Sequence, residues 1–252
     1  MAALTAYFDA SGKASNPASI ELVVSGFVST QKKWRQFDND WRGLLKEFDV
    51  PYFHMKEFAP STGIFKDWKD KERRRRKFLQ RLIDITVANT EQSIAAGVLL
   101  NDWRKANRRY KLKENDWAPY ALCGRTCVDQ VYKWCDEQGH SRNQVVFMFE
   151  DGDEDQNALN NRVKKDFGIK LEFGPKVPNP FSTKRTTDPA FAGRRFCGVA
   201  YQASFGSTRA GWHRSASYCS LRLSGAVFAY SSRVVPSSFQ YDCWSFYHSE
   251  TG

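Results

Sequence analysis

Apolar residues that alternate or run continuously predict the strands of a sheet, whereas apolar residues three or four positions apart predict the helices between them. Five runs rich in β-branched and aromatic residues predict strands over residues 4–9, 20–28, 93–100, 145–149 and 169–173. Four segments with helical spacing predict helices over residues 31–48, 69–87, 119–137 and 157–167. This order predicts an α/β fold with a mixed β-sheet flanked by helices.

Two groups of acidic residues lie at the ends of predicted strands. Asp9 ends the first strand, and Glu150, Asp151 and Asp153 follow the fourth. If these strands are neighbours in the sheet, their carboxylates converge and raise one another's pKa, an arrangement typical of a Mg²⁺ or Mn²⁺ site. Two such ions would support in-line phosphoryl transfer. The alternative is that the second group forms a polar turn that caps the next helix.

Four segments resemble, in their order and spacing, the landmarks of domain-of-unknown-function family 3800. These segments are Phe8-Asp9-Ala10-Ser11-Gly12, the helix with Trp34 and Trp41, Phe53-His54-Met55, and Val146-Phe-Met-Phe-Glu150-Asp151-Gly152. The resemblance covers residues 3 to about 176. It implies a ribonuclease-H-like fold, the fold predicted for that family.

The resemblance also implies roles for individual residues. Asp9 would be the metal ligand of the first strand, and Glu150 or Asp151 the second ligand. His54 would transfer a proton or contact a phosphate, and Glu57 would assist it. The implied activity is that of a metal-dependent nuclease or phosphoryl-transfer enzyme with Mg²⁺ or Mn²⁺ as its cofactor.

The chain departs from the family pattern at two places. Ala10 stands where the family commonly has Glu, which removes one carboxylate from the first strand. The closing motif of the family, Leu-Gln-x-Ala-Asp in a final helix, occurs nowhere after Phe173. The last carboxylate of the implied site is therefore missing.

The composition of the chain changes after residue 188. The 64 residues that follow contain six Arg, no Lys, two acids and twelve Ser, whereas the first 188 contain all 18 Lys and only nine Ser. One permitted set of codons for residues 191–202, read one base later, encodes Leu-Gln-Ala-Ala-Asp-Phe-Val-Ala-Trp-His-Ile-Lys. The missing motif thus appears in the neighbouring frame, at the expected place. We hypothesise a frameshift near residues 185–191.

The frameshift hypothesis divides the chain into a domain over residues 1–185 and an out-of-frame tail over residues 186–252. A tail of arbitrary sequence has no reason to supply the final helix or the last acid. We therefore expect the last helix to be missing or replaced, the tail to be poorly ordered, and the chain to be weakly active or inactive.

The net charge of +10 favours a phosphate-rich partner such as nucleic acid. Four of those charges belong to the tail, which leaves +6 for the first 188 residues. The basic residues cluster at 32–35, 73–76, 104–109 and 164–165. A competing hypothesis is therefore a non-catalytic module on the same fold that binds nucleic acid or protein.

No apolar run approaches the length of a membrane span, and the first residues lack the pattern of a secretory signal. We accordingly expect no membrane partner and a cytoplasmic location. The six cysteines are interpreted as reduced thiols, with Cys123 and Cys127 buried on a helix.

Overall fold

The computed structural model describes residues 3–174 and two further segments, 220–223 and 226–233. Its strands are β1 (Leu4–Ser11), β2 (Glu21–Thr30), β3 (Gln92–Leu99), β4 (Val145–Glu150), β5 (Glu172–Gly174), β6 (Ser220–Leu223) and β7 (Ala226–Arg233). Its α-helices are α1 (Gln31–Glu47), α2 (Met55–Phe58), α3 (Glu72–Asn89), α4 (Leu100–Tyr110), α5 (Pro119–Gln138) and α6 (Gln156–Phe167). Short 3₁₀ helices span Gly63–Trp68, Lys113–Asn115 and Arg142–Gln144.

The strands form one mixed sheet in the order β5-β4-β1-β2-β3-β7-β6. Strands β1, β2 and β3 pair antiparallel, whereas β4 is parallel to β1 and β5 is parallel to β4. The crossover from β3 to β4 contains α4 and α5, and α6 connects β4 to β5. The predicted α/β class with a mixed, helix-flanked sheet is confirmed, and the arrangement is consistent with a ribonuclease-H-like fold.

The two faces of the sheet carry different cores, because successive side chains of a strand point to opposite faces. On one face, Leu4, Ala6 and Phe8 pack with the buried residues of α5 and α6. On the other face, Tyr7 and Phe27 pack with α1, α2 and α3.

The core beneath α1 to α3 is almost entirely aromatic. Eleven of its fourteen buried residues are Phe, Trp or Tyr. Trp34 and Trp41 are 5% and 1% exposed, so the predicted buried face of α1 is confirmed. The indole N–H of Trp34 also donates a 3.0 Å hydrogen bond to the carbonyl oxygen of Thr5, which fixes α1 against β1.

Some elements differ from the prediction. Helix α4 was missed because only Leu100 and Trp103 of its eleven residues are buried, too few to give a clear apolar period. Residues 145–149 of strand β4 form an uninterrupted apolar run, a pattern that predicts a strand covered on both faces, and this prediction is wrong at Val146, because that side chain is 38% exposed. Strand β5 is shorter and begins later than predicted, since residues 169–171 precede it without strand pairing.

Strands β6 and β7 belong to the tail, for which poor order was predicted. Strand β7 pairs antiparallel with β3, from Ser93 opposite Arg233 to Gly97 opposite Ala229, and β6 pairs with β7. The other tail residues, including the site of the proposed frameshift, lie outside the described residues. Within the part of the chain that is described, no helix is long and apolar enough to cross a membrane.

Candidate functional site

The carboxylates of Asp9 and Glu150 meet at one edge of the sheet. Strands β1 and β4 are parallel neighbours, and their register pairs Phe8 with Phe149. The next residue on each strand is therefore Asp9 beside Glu150. Side chains two residues apart on a strand lie on the same face of the sheet. Asp9 therefore shares the face of Tyr7, and Glu150 shares the face of Met148, which is the face of the aromatic core. The predicted convergence of the two strand ends is confirmed for this pair.

Burial of the Asp9 carboxyl raises its pKa from 3.8 to about 9. A hydrogen bond with Glu150, the charge of Glu150 and the charge of Asp153 act in the same direction, against a weaker opposing hydrogen bond from the backbone of Ala10. Two carboxyl groups can share a hydrogen bond only if one of them carries a proton. At neutral pH the raised pKa of Asp9 therefore favours a carboxyl that keeps its proton beside Glu150.

Two further side chains, Asp153 and Tyr120, are coupled to the pair electrostatically. Asp153 lies in the turn that follows β4, and its charge raises the pKa of Asp9. Tyr120, in the first turn of α5, is 2% exposed. Burial raises the pKa of the Tyr120 hydroxyl, and the charges of Asp153, Asp9 and Glu150 raise it further. Tyr120 therefore keeps its proton and faces an acidic neighbourhood as a potential hydrogen-bond donor.

Asp151, the predicted alternative to Glu150, is exposed. Its backbone N–H donates a 2.7 Å hydrogen bond to the carbonyl oxygen of Gly174, which ties the turn after β4 to the end of β5. The register thus places Glu150, rather than Asp151, beside Asp9, and Asp151 contacts the end of β5 through its backbone.

The donor set is compatible with a hard divalent cation that keeps part of its water shell. In the described part of the chain, no group of three or more His, Cys, Asp or Glu side chains is arranged to hold a metal ion. Mg²⁺, however, is commonly bound through one or two carboxylates, with waters and substrate phosphates as the remaining ligands. Asp9 and Glu150 provide such a pair, and Asp153 adds negative charge beside it.

The loop between β1 and β2 and the turn after β4 are joined above the pair. The backbone N–H of Ser15 donates a 3.1 Å hydrogen bond to Glu154 Oε2, and the Ser15 hydroxyl donates to Oε1 of the same residue. Lys113 Nζ lies 3.6 Å from Asp155 Oδ1. These contacts tie the acidic turn to the β1–β2 loop and to the segment that contains Lys113.

A second polar cluster is formed by His54, Glu57 and Tyr52. Glu57 Oε1 accepts a 3.2 Å hydrogen bond from His54 Nδ1, and Glu57 Oε2 accepts a 2.9 Å bond from the Tyr52 hydroxyl. Although partial burial raises the pKa of Glu57, these hydrogen bonds and one from the backbone of Ile64 outweigh it and lower the pKa. Glu57 is thus ionised and accepts only, so His54 donates from Nδ1.

The loop after α2 closes tightly around the Glu57 carboxylate. Gly63 has φ +56°, and a Cβ atom at this position would overlap Glu57 Oε2. A side chain at residue 63 would therefore displace the carboxylate or the loop.

The predicted site residues therefore fall into two groups. Phe53 and Phe58, which flank the second cluster, are buried in the aromatic core on the sheet face from which Asp9 projects. Among the described residues, no hydrogen bond or ion pair joins His54 or Glu57 to the Asp9–Glu150 pair. The structure places the two clusters on one side of the sheet as separate units.

Tyr52, Gly63 and Tyr120 were not predicted from the sequence. Tyr52 lies five residues before Glu57, and this spacing does not indicate a contact unless the turn into α2 is known. Tyr120 lies about 110 residues from Asp9, and only the crossover of α5 over the sheet brings them together. The Pro119-Tyr120 start of α5 was the available signal, since Pro favours the first turn of a helix.

The predicted buried thiols are confirmed for Cys123 and Cys127, which are fully or almost fully buried on α5. Burial raises the pKa of both thiols, so they are protonated and act as apolar packing groups.

A scan against models of protein families finds no matching family, and a search of curated proteins finds no matching sequence. The resemblance drawn from the motifs of residues 8–12, 53–55 and 146–152 stays a prediction.

Proposed function

We propose that this chain is a ribonuclease-H-like protein of the domain-of-unknown-function 3800 type, whose Asp9–Glu150 pair binds Mg²⁺ or Mn²⁺ for phosphoryl transfer on a nucleic acid. The observation that carries the proposal is the placement of two carboxyls side by side at the ends of adjacent parallel strands, where burial and the neighbouring Glu150 raise the pKa of Asp9. A divalent cation is the natural replacement for the proton between them.

A bound cation would supply Lewis-acid polarisation of a phosphate oxygen and a more acidic water. Asp9 and Glu150 would hold the cation at the sheet edge. Their shared proton would be released to solvent when the cation binds. Asp153 strengthens the attraction for a cation through its charge. Tyr120, which keeps its proton, can donate a hydrogen bond to a phosphate oxygen or an ordered water near the pair.

His54 is the proposed proton carrier. Glu57 accepts from its Nδ1, which leaves Nε2 to exchange a proton or to contact a phosphate. Tyr52 holds the other oxygen of Glu57 and thereby fixes the carboxylate that orients the imidazole. Glu57 and Tyr52 are positioning residues in this scheme.

The alternative is a non-catalytic module on the same fold that binds nucleic acid or protein. Ala10 and the absence of the closing Leu-Gln-x-Ala-Asp motif favour it, because a two-metal reaction needs more carboxylates than Asp9 and Glu150 provide. The net charge of the first 188 residues is compatible with either function.

The frameshift hypothesis reconciles these observations. A tail read in the neighbouring frame from about residue 191 would restore Leu-Gln-Ala-Ala-Asp and with it a final acid. Reading the codons of residues 191–195 tests this directly. If they do not encode the motif one base later, the hypothesis is wrong.

The function is tested by a nuclease assay on the frame-corrected chain with Mg²⁺ or Mn²⁺, comparing wild type with Asp9→Asn. We expect cleavage of single- or double-stranded DNA or RNA that is lost with Asp9→Asn and with chelation of the metal. Asp151→Asn is the matched control and should retain activity. Nucleic-acid binding that survives Asp9→Asn, without cleavage by either chain, would support the non-catalytic module instead. Equal activity of the original and frame-corrected chains would contradict the frameshift account.

A further inference from the structure

A basic segment lies at the same end of the sheet as the acidic pair. Residues 104–113, Arg-Lys-Ala-Asn-Arg-Arg-Tyr-Lys-Leu-Lys, contain six cations and no acid. They span most of α4 and the start of the 3₁₀ helix that follows it. We call this segment the basic ridge.

The sheet register places the basic ridge next to the candidate site. Asp9 pairs with Ser25, and Ser25 pairs with Ala95, so these residues share one level of the sheet. Strand β3 runs in the same direction as β1 and ends at Leu99, four residues or roughly 13 Å beyond that level. Helix α4 therefore begins beyond the end of the sheet at which the acids lie.

Two side-chain contacts bring the ridge to the loops that surround the acids. Arg104 Nη2 donates a 3.4 Å hydrogen bond to the carbonyl oxygen of Ala14 in the β1–β2 loop. Lys113 Nζ lies 3.6 Å from Asp155 Oδ1 in the turn after β4. The two ends of the ridge are thus tied to the β1–β2 loop and to the turn after β4, at the end of the sheet where the acids lie, while Leu100 and Trp103 of α4 pack in the core of the α5 face.

The cations of the basic ridge differ from those of the other large basic run, at the start of α3. In that run, two guanidiniums form hydrogen bonds within the chain. Arg74 donates to the carbonyl oxygen of Phe48, and Arg75 donates to the carbonyl oxygens of Phe58 and Ala59. In contrast, Arg108 and Arg109 are exposed, and no ion pair holds either of them among the described residues. Their charge is available to a ligand.

Aromatic side chains accompany the exposed cations. Tyr110 is 38% exposed, and the Arg109 guanidinium lies 5.2 Å from its ring centre. Tyr110 also lines a cleft of about 430 Å³ together with Trp117, Arg162 and Lys165. The Arg162 guanidinium lies 4.0 Å from the ring centre of Trp117, so cations flank both rings.

We propose that the basic ridge binds the backbone of a single-stranded nucleic acid, with a base stacked on Tyr110, and directs that strand toward Asp9 and Glu150. Arg108 and Arg109 would neutralise phosphates, and an exposed aromatic ring accepts unpaired bases of any sequence. Paired bases cannot present their faces to Tyr110, so a single strand is favoured over a duplex. This inference rests on the proposed function, which it extends by naming the substrate class and its path.

The experiment measures binding rather than cleavage, so that it is independent of catalysis. The fluorescence anisotropy of a labelled 15-nucleotide single strand is titrated with the 252-residue chain in EDTA. Three chains are compared: wild type, Arg108→Gln/Arg109→Gln, and the charge-matched control Arg35→Gln/Arg73→Gln. Both control positions are exposed, on α1 and α3. Circular dichroism checks that all three chains are folded.

We expect the ridge variant to bind at least tenfold more weakly at 100 mM salt, and the control to remain within about twofold of wild type. The log–log salt slope should fall by about 1.4 in magnitude, about 0.7 for each lost phosphate contact. Tyr110→Ala should weaken binding about fivefold or more. Arg108→Lys/Arg109→Lys, which keeps the charge, should restore most of the affinity.

Equal weakening in the ridge variant and the control would overturn the inference, as would tighter binding of a duplex than of the single strand. Poly-glutamate that binds as tightly as the oligonucleotide would also overturn it, because the surface would then be specific only for negative charge. If ridge-dependent binding is found but the Asp9→Asn nuclease comparison shows no activity, the proposed enzyme fails and this inference stands. If cleavage depends on Asp9 but the affinity for the single strand is unchanged in the ridge variant, only this inference fails.

Discussion

Two carboxylate clusters lie on the same side of the sheet and differ in how their charge is balanced. Glu57 accepts hydrogen bonds from His54 Nδ1 and the Tyr52 hydroxyl, and its pKa is lowered. Asp9 instead faces Glu150 and has Asp153 nearby, and its pKa is raised to about 9. One cluster is complete within the chain, whereas the other has a surplus of negative charge.

This difference is the one expected if Glu57 positions His54 and the Asp9–Glu150 pair binds a cation, as proposed. A carboxylate with its donors in place is held in one orientation and gains little from an added cation. A carboxylate pair that shares a proton can exchange that proton for a divalent cation at neutral pH. The comparison therefore predicts opposite responses when each carboxylate is replaced by its amide.

The largest expected effect on stability is at Asp9. Without divalent cations, Asp9→Asn should raise the free energy of unfolding at pH 8, on the order of 1–3 kcal/mol, because folding then no longer requires Asp9, which is ionised in the unfolded chain, to take up a proton. Since the folded pKa of Asp9 lies above its ordinary value of 3.8, wild type loses stability as pH rises from about 4 to about 9. The gain from Asp9→Asn should grow over the same range. Urea unfolding in EDTA measures it.

Asp151→Asn is the control for that measurement, because Asp151 is exposed at the same strand end. It should change the free energy of unfolding by less than about 0.5 kcal/mol. A loss of stability with Asp9→Asn in EDTA would show that the carboxylate is satisfied without a cation, which contradicts the comparison.

A smaller effect of opposite sign is expected at Glu57. Glu57→Gln should lower the free energy of unfolding by about 1 kcal/mol, because the amide is a weaker acceptor and the cluster is partly exposed. Since the pKa of Glu57 is lowered in the folded chain, its contribution is present above pH 4.5 and is lost as the pH falls below that value. Wild type and variant should thus converge in acid.

The imidazole of His54 gives a second readout for Glu57. Nitrogen NMR should find the proton of neutral His54 on Nδ1 in wild type, and a mixture of tautomers with Glu57→Gln. Tyr52→Phe, which removes one donor and leaves His54 untouched, should keep the Nδ1 form. An Nε2 tautomer in wild type would break the proposed orientation of His54.

Much of the fold could be predicted from the sequence, and the burial of each element explains which ones were found and which were missed. The helix over residues 31–48 was evident because Trp34, Phe37 and Trp41 repeat at the helical period, and the fold buries all three. Helix α4 was missed because its exposed surface is basic and few of its residues enter the core. A helical spacing of apolar residues arises only where a helix buries one face, so helices that mostly face solvent lack it.

The candidate site was predictable in part for a similar reason. Asp9 and Glu150 could be matched because each lies at the end of an apolar strand, and the parallel pairing of β1 with β4 then makes them neighbours. The participation of Tyr120 and the bond between Tyr52 and Glu57 depend on tertiary geometry that no spacing reveals. The basic clusters could be counted, but only the structure distinguishes Arg108 and Arg109, which are exposed, from Arg74 and Arg75, whose guanidiniums contact backbone carbonyls.

The most direct test of the central claim is a calorimetric titration of the chain with Mn²⁺ at pH 7.5, in two buffers of different ionisation enthalpy. We predict that wild type binds Mn²⁺ and releases a proton, that Asp9→Asn and Glu150→Gln each weaken binding at least tenfold, and that Asp151→Asn binds as wild type does. Binding of Mn²⁺ by Asp9→Asn with unchanged affinity, or no binding by wild type, would contradict the account.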